Sequence, residues 1–236
     1  MRIANAIFVM LISGVMATAC GLTGRAWAQI QSAPPATRTF TQVAISPDGS
    51  QIAWVEPIPA VGAQSGKGSA IYLQDLKSAD SRPRRVPATR ESRTISDESV
   101  AWSPDGKRLA FLSDAESVGQ FELYVADIDT GAARKLTSLT GFLSDPRWSP
   151  DGKTLGILFT ENAPRAAGPL MAMTAETGVV EGKIFEQRVT TVDLQSGNVH
   201  QLSPSDMYVY EYAWAPDGKT FAAIAAHGAG DRKSVV

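Results

Sequence analysis

Cysteine is nearly absent from this chain: Cys20 is the only one in 236 residues. No internal disulfide can form, so the fold has to rest on packing and backbone hydrogen bonds. Histidine is almost as scarce, with His200 and His227 far apart. Together with a single thiol they leave zinc without a ligand set. There is no Gly-rich phosphate loop, since the stretch from Gly62 to Gly68 is loop composition only. Nor is there an excess of positive charge. Lys and Arg number 22 against 24 Asp and Glu, a net charge of −2, which argues against nucleic acid or an anionic membrane surface as a partner. The apolar run at residues 7–19 has 13 residues, short of the roughly 20 that a membrane-spanning helix needs. What remains is ordinary globular composition, 44% hydrophobic and 19% charged.

The first 28 residues read as a secretory signal peptide. Arg2 supplies a positive start, the apolar run follows, and Ala26-Trp27-Ala28 gives the small-x-small pattern of a cleavage site, with Gln29 as the new N-terminus. Ala17-Thr18-Ala19-Cys20 loosely resembles the box before a lipidated cysteine, so lipid anchoring through Cys20 is the alternative. Either route exports the chain to the periplasm or beyond. Cleavage after Ala28 removes Cys20, Arg2 and Arg25, leaving a net charge of −4, no cysteine and no membrane span. Residues 29–40, with Pro34 and Pro35, form a flexible lead-in.

The dominant signal is internal repetition. Four segments align without gaps. Two of them are Val43-Ala-Ile-Ser-Pro-Asp-Gly-Ser-Gln-Ile-Ala-Trp54 and Val100-Ala-Trp-Ser-Pro-Asp-Gly-Lys-Arg-Leu-Ala-Phe111. The others are Pro146-Arg-Trp-Ser-Pro-Asp-Gly-Lys-Thr-Leu-Gly-Ile157 and Tyr212-Ala-Trp-Ala-Pro-Asp-Gly-Lys-Thr-Phe-Ala-Ala223. The turn prolines Pro47, Pro104, Pro150 and Pro216 are spaced by 57, 46 and 66 residues. Proline presets φ for the second position of a type I turn, Asp can bond its own backbone, and Gly accepts the left-handed conformation of a bulged hairpin. A strand-like segment, a tight turn and a further short strand follow each hairpin, as at 121–137 and 188–202. Each unit therefore offers four short strands, one propeller blade.

Continuous apolar runs at 109–112 and 155–159 fit strands covered on both faces. The small residues Ala110, Gly156 and Ala222 at equivalent places permit close blade-to-blade packing. The expected fold is thus all-β, a partial β-propeller of about three and a half four-stranded blades at 41–88, 98–137, 144–202 and 209–226. A closed ring takes about four to eight blades, so the chain reads as a truncated propeller spanning 41–230. Asp231-Arg-Lys-Ser-Val-Val236 bears no relation to the repeat. It resembles the in-frame translation of a sequencing adapter and is read as a non-native tail.

The Trp-Ser-Pro-Asp-Gly-Lys-x-Leu-Ala-Phe hairpin resembles the Tol-type, WD-like propeller repeat of exported bacterial proteins. Two families carry it: the propeller of the Tol–Pal system, and the N-terminal propeller of serine peptidases of the prolyl oligopeptidase family. Gly178-Val-Val-Glu-Gly-Lys-Ile-Phe-Glu-Gln-Arg-Val-Thr-Thr-Val-Asp193 and Gln201-Leu-Ser-Pro-Ser-Asp-Met-Tyr-Val-Tyr-Glu-Tyr-Ala-Trp214 resemble the third-blade region of the bacterial peptidases. The long insertion at 161–186 also departs from uniform blades. The peptidase resemblance implies a hydrolase domain with a Ser-Asp-His triad, gated by the propeller and fed with peptide substrates. The Tol-type resemblance implies a periplasmic module that docks envelope proteins.

No catalytic residue is assigned, because the chain contains no Gly-x-Ser-x-Gly elbow. Dipeptidyl peptidases of the family hold the substrate amino terminus with a Glu-Glu pair, which this chain lacks. Glu181 and Glu186 are the nearest candidates for substrate binding. Asp48, Asp105, Asp151 and Asp217 are explained by their turns, so no metal and no cofactor are assigned. Arg82, Arg84 and Arg85 read as a solvated turn, and Trp102, Trp148 and Trp214 as repeat core rather than ligand platforms.

Overall fold

The computed structural model describes residues 38–58, 68–89, 95–163 and 185–227. Fourteen strands form within them: β1 Gln42–Ile45, β2 Gln51–Ile58, β3 Gly68–Asp75, β4 Arg84–Val86, β5 Asp97–Trp102, β6 Arg108–Ser117, β7 Gln120–Asp127, β8 Ala133–Lys135, β9 Gly141–Trp148, β10 Thr154–Glu161, β11 Gln187–Asp193, β12 Val199–Gln201, β13 Met207–Trp214 and β14 Phe221–His227. They pair as three four-stranded antiparallel sheets, each in simple sequence order, followed by the two-stranded hairpin β13–β14. The all-β propeller arc expected from the repeats is the fold. The proposed signal peptide, Cys20, the tail at 231–236 and Glu181 lie outside the described residues.

Each hairpin closes as its residues dictate. In the first, Gly49 N–H bonds Ser46 C=O at 2.9 Å, and Asp48 Oδ1 accepts Ser46 Oγ–H at 2.7 Å and Ser50 N–H at 3.1 Å. Ser103/Asp105 and Ser149/Asp151 repeat this arrangement. In the fourth turn Ala215 replaces the serine, and Asp217 bonds Lys219 and Thr220 instead. These bonds hold the carboxylates of Asp48, Asp105, Asp151 and Asp217 below the usual carboxylate range. The turn glycines Gly49, Gly106, Gly152 and Gly218 all sit at φ between 65° and 68°, where a side chain would be strained.

The core lies between blades rather than within one. One cluster joins Ala53, Val55, Ile71 and Leu73 of the first blade to Leu109, Phe111, Tyr124 and Ala126 of the second. The opposite face of the second blade, Ala110, Leu112, Leu123 and Val125, packs on Leu143, Trp148, Leu155 and Ile157 of the third. A smaller cluster sets Leu158 and Val189 against Val209 and Tyr212 of the hairpin. Successive residues of β6 therefore serve two different seams, and this is why its sequence is apolar without alternation.

Of the three small residues expected to admit close packing, Gly156 does so most directly. A Cβ there would come within 2.8 Å of the Tyr212 ring. Ala110 is fully buried, whereas Ala222 lies on the exposed face of β14, where Ile224 is 63% exposed. At the other end of the arc Ile45, which stands where later repeats have Trp, is 60% exposed.

Candidate functional site

The inner strands come together at the centre of the arc, with β5 packed against both β1 and β9. Because strands alternate in direction, the starts of β1, β5, β9 and β13 share one rim with the connections between blades. The Pro-Asp-Gly turns occupy the opposite rim. On the first rim a cavity of about 470 Å³ is lined by Thr41, Gln42, Val55, Glu98, Ser99, Val100, Asp145 and Pro146. Three blades contribute to it.

Bulges in the inner strands aim residues at this cavity. The β5–β6 register shifts between Glu98 and Ala101, and the β9–β10 register shifts opposite the step from Gly156 to Leu158. Ser99 (φ 59°) and Asp145 (φ 51°) are the extra residues, both in the left-handed region without being glycine. Such bulges re-aim side chains and are frequent beside functional sites. Gln42, Ser99, Asp145 and Glu211 each stand three positions before the residue at the repeat's Trp place, and the first three of them line the cavity.

Their interactions knit neighbouring blades. Gln42 donates from Nε2 to Val100 C=O at 3.2 Å and accepts Val100 N–H on Oε1 at 2.7 Å. Tyr212 O–H donates to Asp145 C=O at 2.8 Å. Arg147 donates from Nε to Asp145 Oδ2 at 3.0 Å, reaches Glu211 at 3.8 Å, and lies over the Tyr212 ring. Burial works against the Arg147 charge, but Asp145, Tyr212 and Glu211 outweigh it and raise its pKa. Glu98 is pushed up by burial and by the Asp114 charge. Glu98 and Asp145 thus bring two acidic groups to the cavity, with Arg147 paired to Asp145 and reaching towards the exposed Glu211, an environment suited to a cationic group such as a peptide ammonium.

Glu186, the described member of the two candidate glutamates, is half-buried just before β11 and does not line this cavity. The tryptophans are structural. Trp102, Trp148 and Trp214 donate their indole N–H to the backbone carbonyls of Ala44, Ala101 and Arg147 in the preceding blade, at 3.0 to 3.2 Å. Two of the arginines make a comparable clasp in the forward direction: Arg84 donates to Ile128 C=O, and Arg134 to Leu194 C=O. Arg84 is exposed, as its basic cluster leads one to expect, and its guanidinium also reaches across the first seam. Neither the clasps nor the axial position was read from the sequence, although the in-frame polar residue three places before each Trp was there to be found.

A profile of the TolB beta propeller domain matches residues 36–235. The chain belongs to that family. Within it, this propeller is 35% identical over 117 residues, half of its length, to a Bacillus subtilis protein called an uncharacterized peptidase, YuxL. Over 64 residues it is 34% identical to the Tol-Pal system protein TolB of Alcanivorax borkumensis. It spans 17% and 14% of the lengths of those two curated relatives. Among solved structures, an acylaminoacyl peptidase in complex with a chloromethyl ketone superposes with a TM-score of 0.51, covering 76% of this chain and 27% of that one. At 16% identity this is a likeness of fold.

Proposed function

We propose that this propeller is the substrate-admitting N-terminal part of an exported serine peptidase of the prolyl oligopeptidase family. In the intact protein it stands over a hydrolase domain and passes short or unfolded peptides along its axis. The observation that carries the reading is the asymmetry of the third blade. β10 ends at Glu161 and β11 begins only at Gln187, an excursion leaving from the rim that bears the axial cavity. The second blade makes the same connection with Val118 and Gly119 alone. Long excursions in compact domains are usually functional. The kinship with a peptidase over half the chain supports the same reading. Glu98 and Asp145 give an entering peptide ammonium somewhere to rest, and the export signal expected in residues 1–28 supports a periplasmic or extracellular location.

A second reading is supported by the family profile and by the Tol-Pal relative. In it the propeller is a periplasmic module that docks envelope proteins. One experiment separates the two: the intact gene product and residues 29–236 are each treated with a fluorophosphonate serine probe and with acyl-aminoacyl and prolyl reporter substrates. The peptidase reading expects labelling and turnover in the intact product and neither in residues 29–236. An intact product that stays unlabelled and inert while retaining envelope proteins would replace it with the docking reading.

A further inference from the structure

The seam between the first two blades contains a carboxylate that packing alone does not explain. Asp97 opens β5 and is fully buried. Its Oδ1 accepts Ser113 Oγ–H at 2.6 Å, and its Oδ2 has no hydrogen-bond partner. Around it the connection between blades is stitched to both sides. On the first blade, Ser69 N–H bonds Ile95 C=O at 3.3 Å, Ser69 Oγ–H bonds Asp97 C=O at 2.8 Å, and Ser69 bridges Ser96 in parallel. On the second, Asp114 N–H bonds Ser96 C=O at 3.1 Å and Asp114 Oδ1 accepts Ser96 N–H at 2.7 Å.

The charged groups near Asp97 are few. Among the described residues, Arg85 on β4 favours its ionised form and Asp114 on β6 opposes it. Glu98 is its neighbour on β5 and carries no opposite charge. Asp114 Oδ2 is already taken by Gly119 N–H. Glu122 of β7, cross-strand from Ser113, is turned to Thr137 and Leu139. Glu56 of β2 is tied to Arg38, and on β9 Asp145 and Arg147 pair with each other. From β3, Ser69 reaches the Asp97 carbonyl, and from β1, Gln42 bonds the backbone of Val100.

We propose that Asp97 is a proton-operated latch between the first two blades: neutral, it lies closed in a dry seam; ionised, it loosens the seam and the wall of the axial cavity that Glu98, Ser99 and Val100 supply. The inference stands apart from the peptidase reading, since it concerns how the arc holds itself together. Burial pushes the Asp97 carboxyl up to about 6, with Ser113 and Arg85 only partly opposing. An ordinary Asp titrates near about 3.9. The folded seam therefore keeps its proton to higher pH than the opened one. Its closure is complete below about pH 4 and is lost as pH rises through about 6.

The test uses the full chain. Carbon-detected NMR titration of the Asp97 carboxyl should give a midpoint near 6. Amide exchange at Ser69 and Asp114, corrected for the intrinsic chemical rate, should show protection falling about fortyfold between about pH 4 and 6.5 and nearly flat above. Asp97→Asn should hold the acid-side protection at every pH, and Arg85→Gln should move the midpoint further up. A midpoint at the ordinary Asp value, or an Asp97→Asn profile that follows the wild type, overturns the latch. Should Asp97→Asn fail to fold, the wild-type titration decides alone.

Discussion

Gly156 is present for space, because its backbone is ordinary strand. Replacing it by Ala puts a methyl 2.8 Å from Cε2 and Oη of Tyr212 and 3.1 Å from Cζ, well inside van der Waals contact. The ring cannot slide away freely. It is fully buried, its hydroxyl is anchored on Asp145 C=O at 2.8 Å, and Arg147 lies across its face. Overpacking a buried site costs about 1–3 kcal/mol, and loss of the phenol hydrogen bond adds about 1 kcal/mol. The stiffer unfolded chain of the Ala variant returns about 0.4–1 kcal/mol. The net is about 2 kcal/mol, confined to the seam between β10–β11 and the hairpin, or about thirtyfold in local opening. Hydrogen exchange resolved by peptide should show Met207–Trp214 exchanging about thirtyfold faster in Gly156→Ala, with β6 and β7 unchanged. The same substitution in a Tyr212→Leu background should cost far less. Equal increments in the two backgrounds, or an unchanged hairpin in the single variant, would show that the ring contact does not set the packing of this seam.

Trp148→Phe keeps a ring in the second seam but removes the indole donor to Ala101 C=O. It should lower stability by about 1–2 kcal/mol, read as a lower urea midpoint, and should raise exchange in β9 more than in β1. Gly106→Ala places a side chain at φ 68°, where it meets Pro47 Cδ at an ordinary contact distance of 3.8 Å. The expected loss is about 1–2 kcal/mol from backbone strain alone, while Gly106→Asn, which tolerates this region, should recover most of it in the same denaturation assay.

The repeat was legible because a Pro-Asp-Gly turn is a local device: Pro47, Asp48 and Gly49 do their work within a few residues of one another, and the same holds three more times. The doubly covered strands were legible too, since Leu109 to Leu112 have no polar position to turn outward. The site was less so. Glu181 and Glu186 answer to a family pattern, and Glu186 stands outside the axial cavity. The cavity is made by Gln42, Glu98, Ser99 and Asp145, brought together only by the stacking of three blades and the bulges at Ser99 and Asp145. A bulge shifts register by one residue, and nothing in Ser99 or Asp145 as residue types announces it. Arg84 shows the same limit. In sequence it belongs to a basic turn, whereas its guanidinium reaches Ile128, 44 positions along.

The indole bridges have an evolutionary corollary. Each tryptophan supplies the donor of a hydrogen bond across its seam, and the acceptor in the preceding blade is a backbone carbonyl, on Ala44, Ala101 or Arg147. Any residue type carries that acceptor, so the preceding blade is free to drift at this position, and alanine and arginine already occupy it. A sequence-blind acceptor leaves this one bond intact when a blade is duplicated, exchanged or interrupted by an insertion, as the interrupted third blade still docks through Trp148 and receives Trp214.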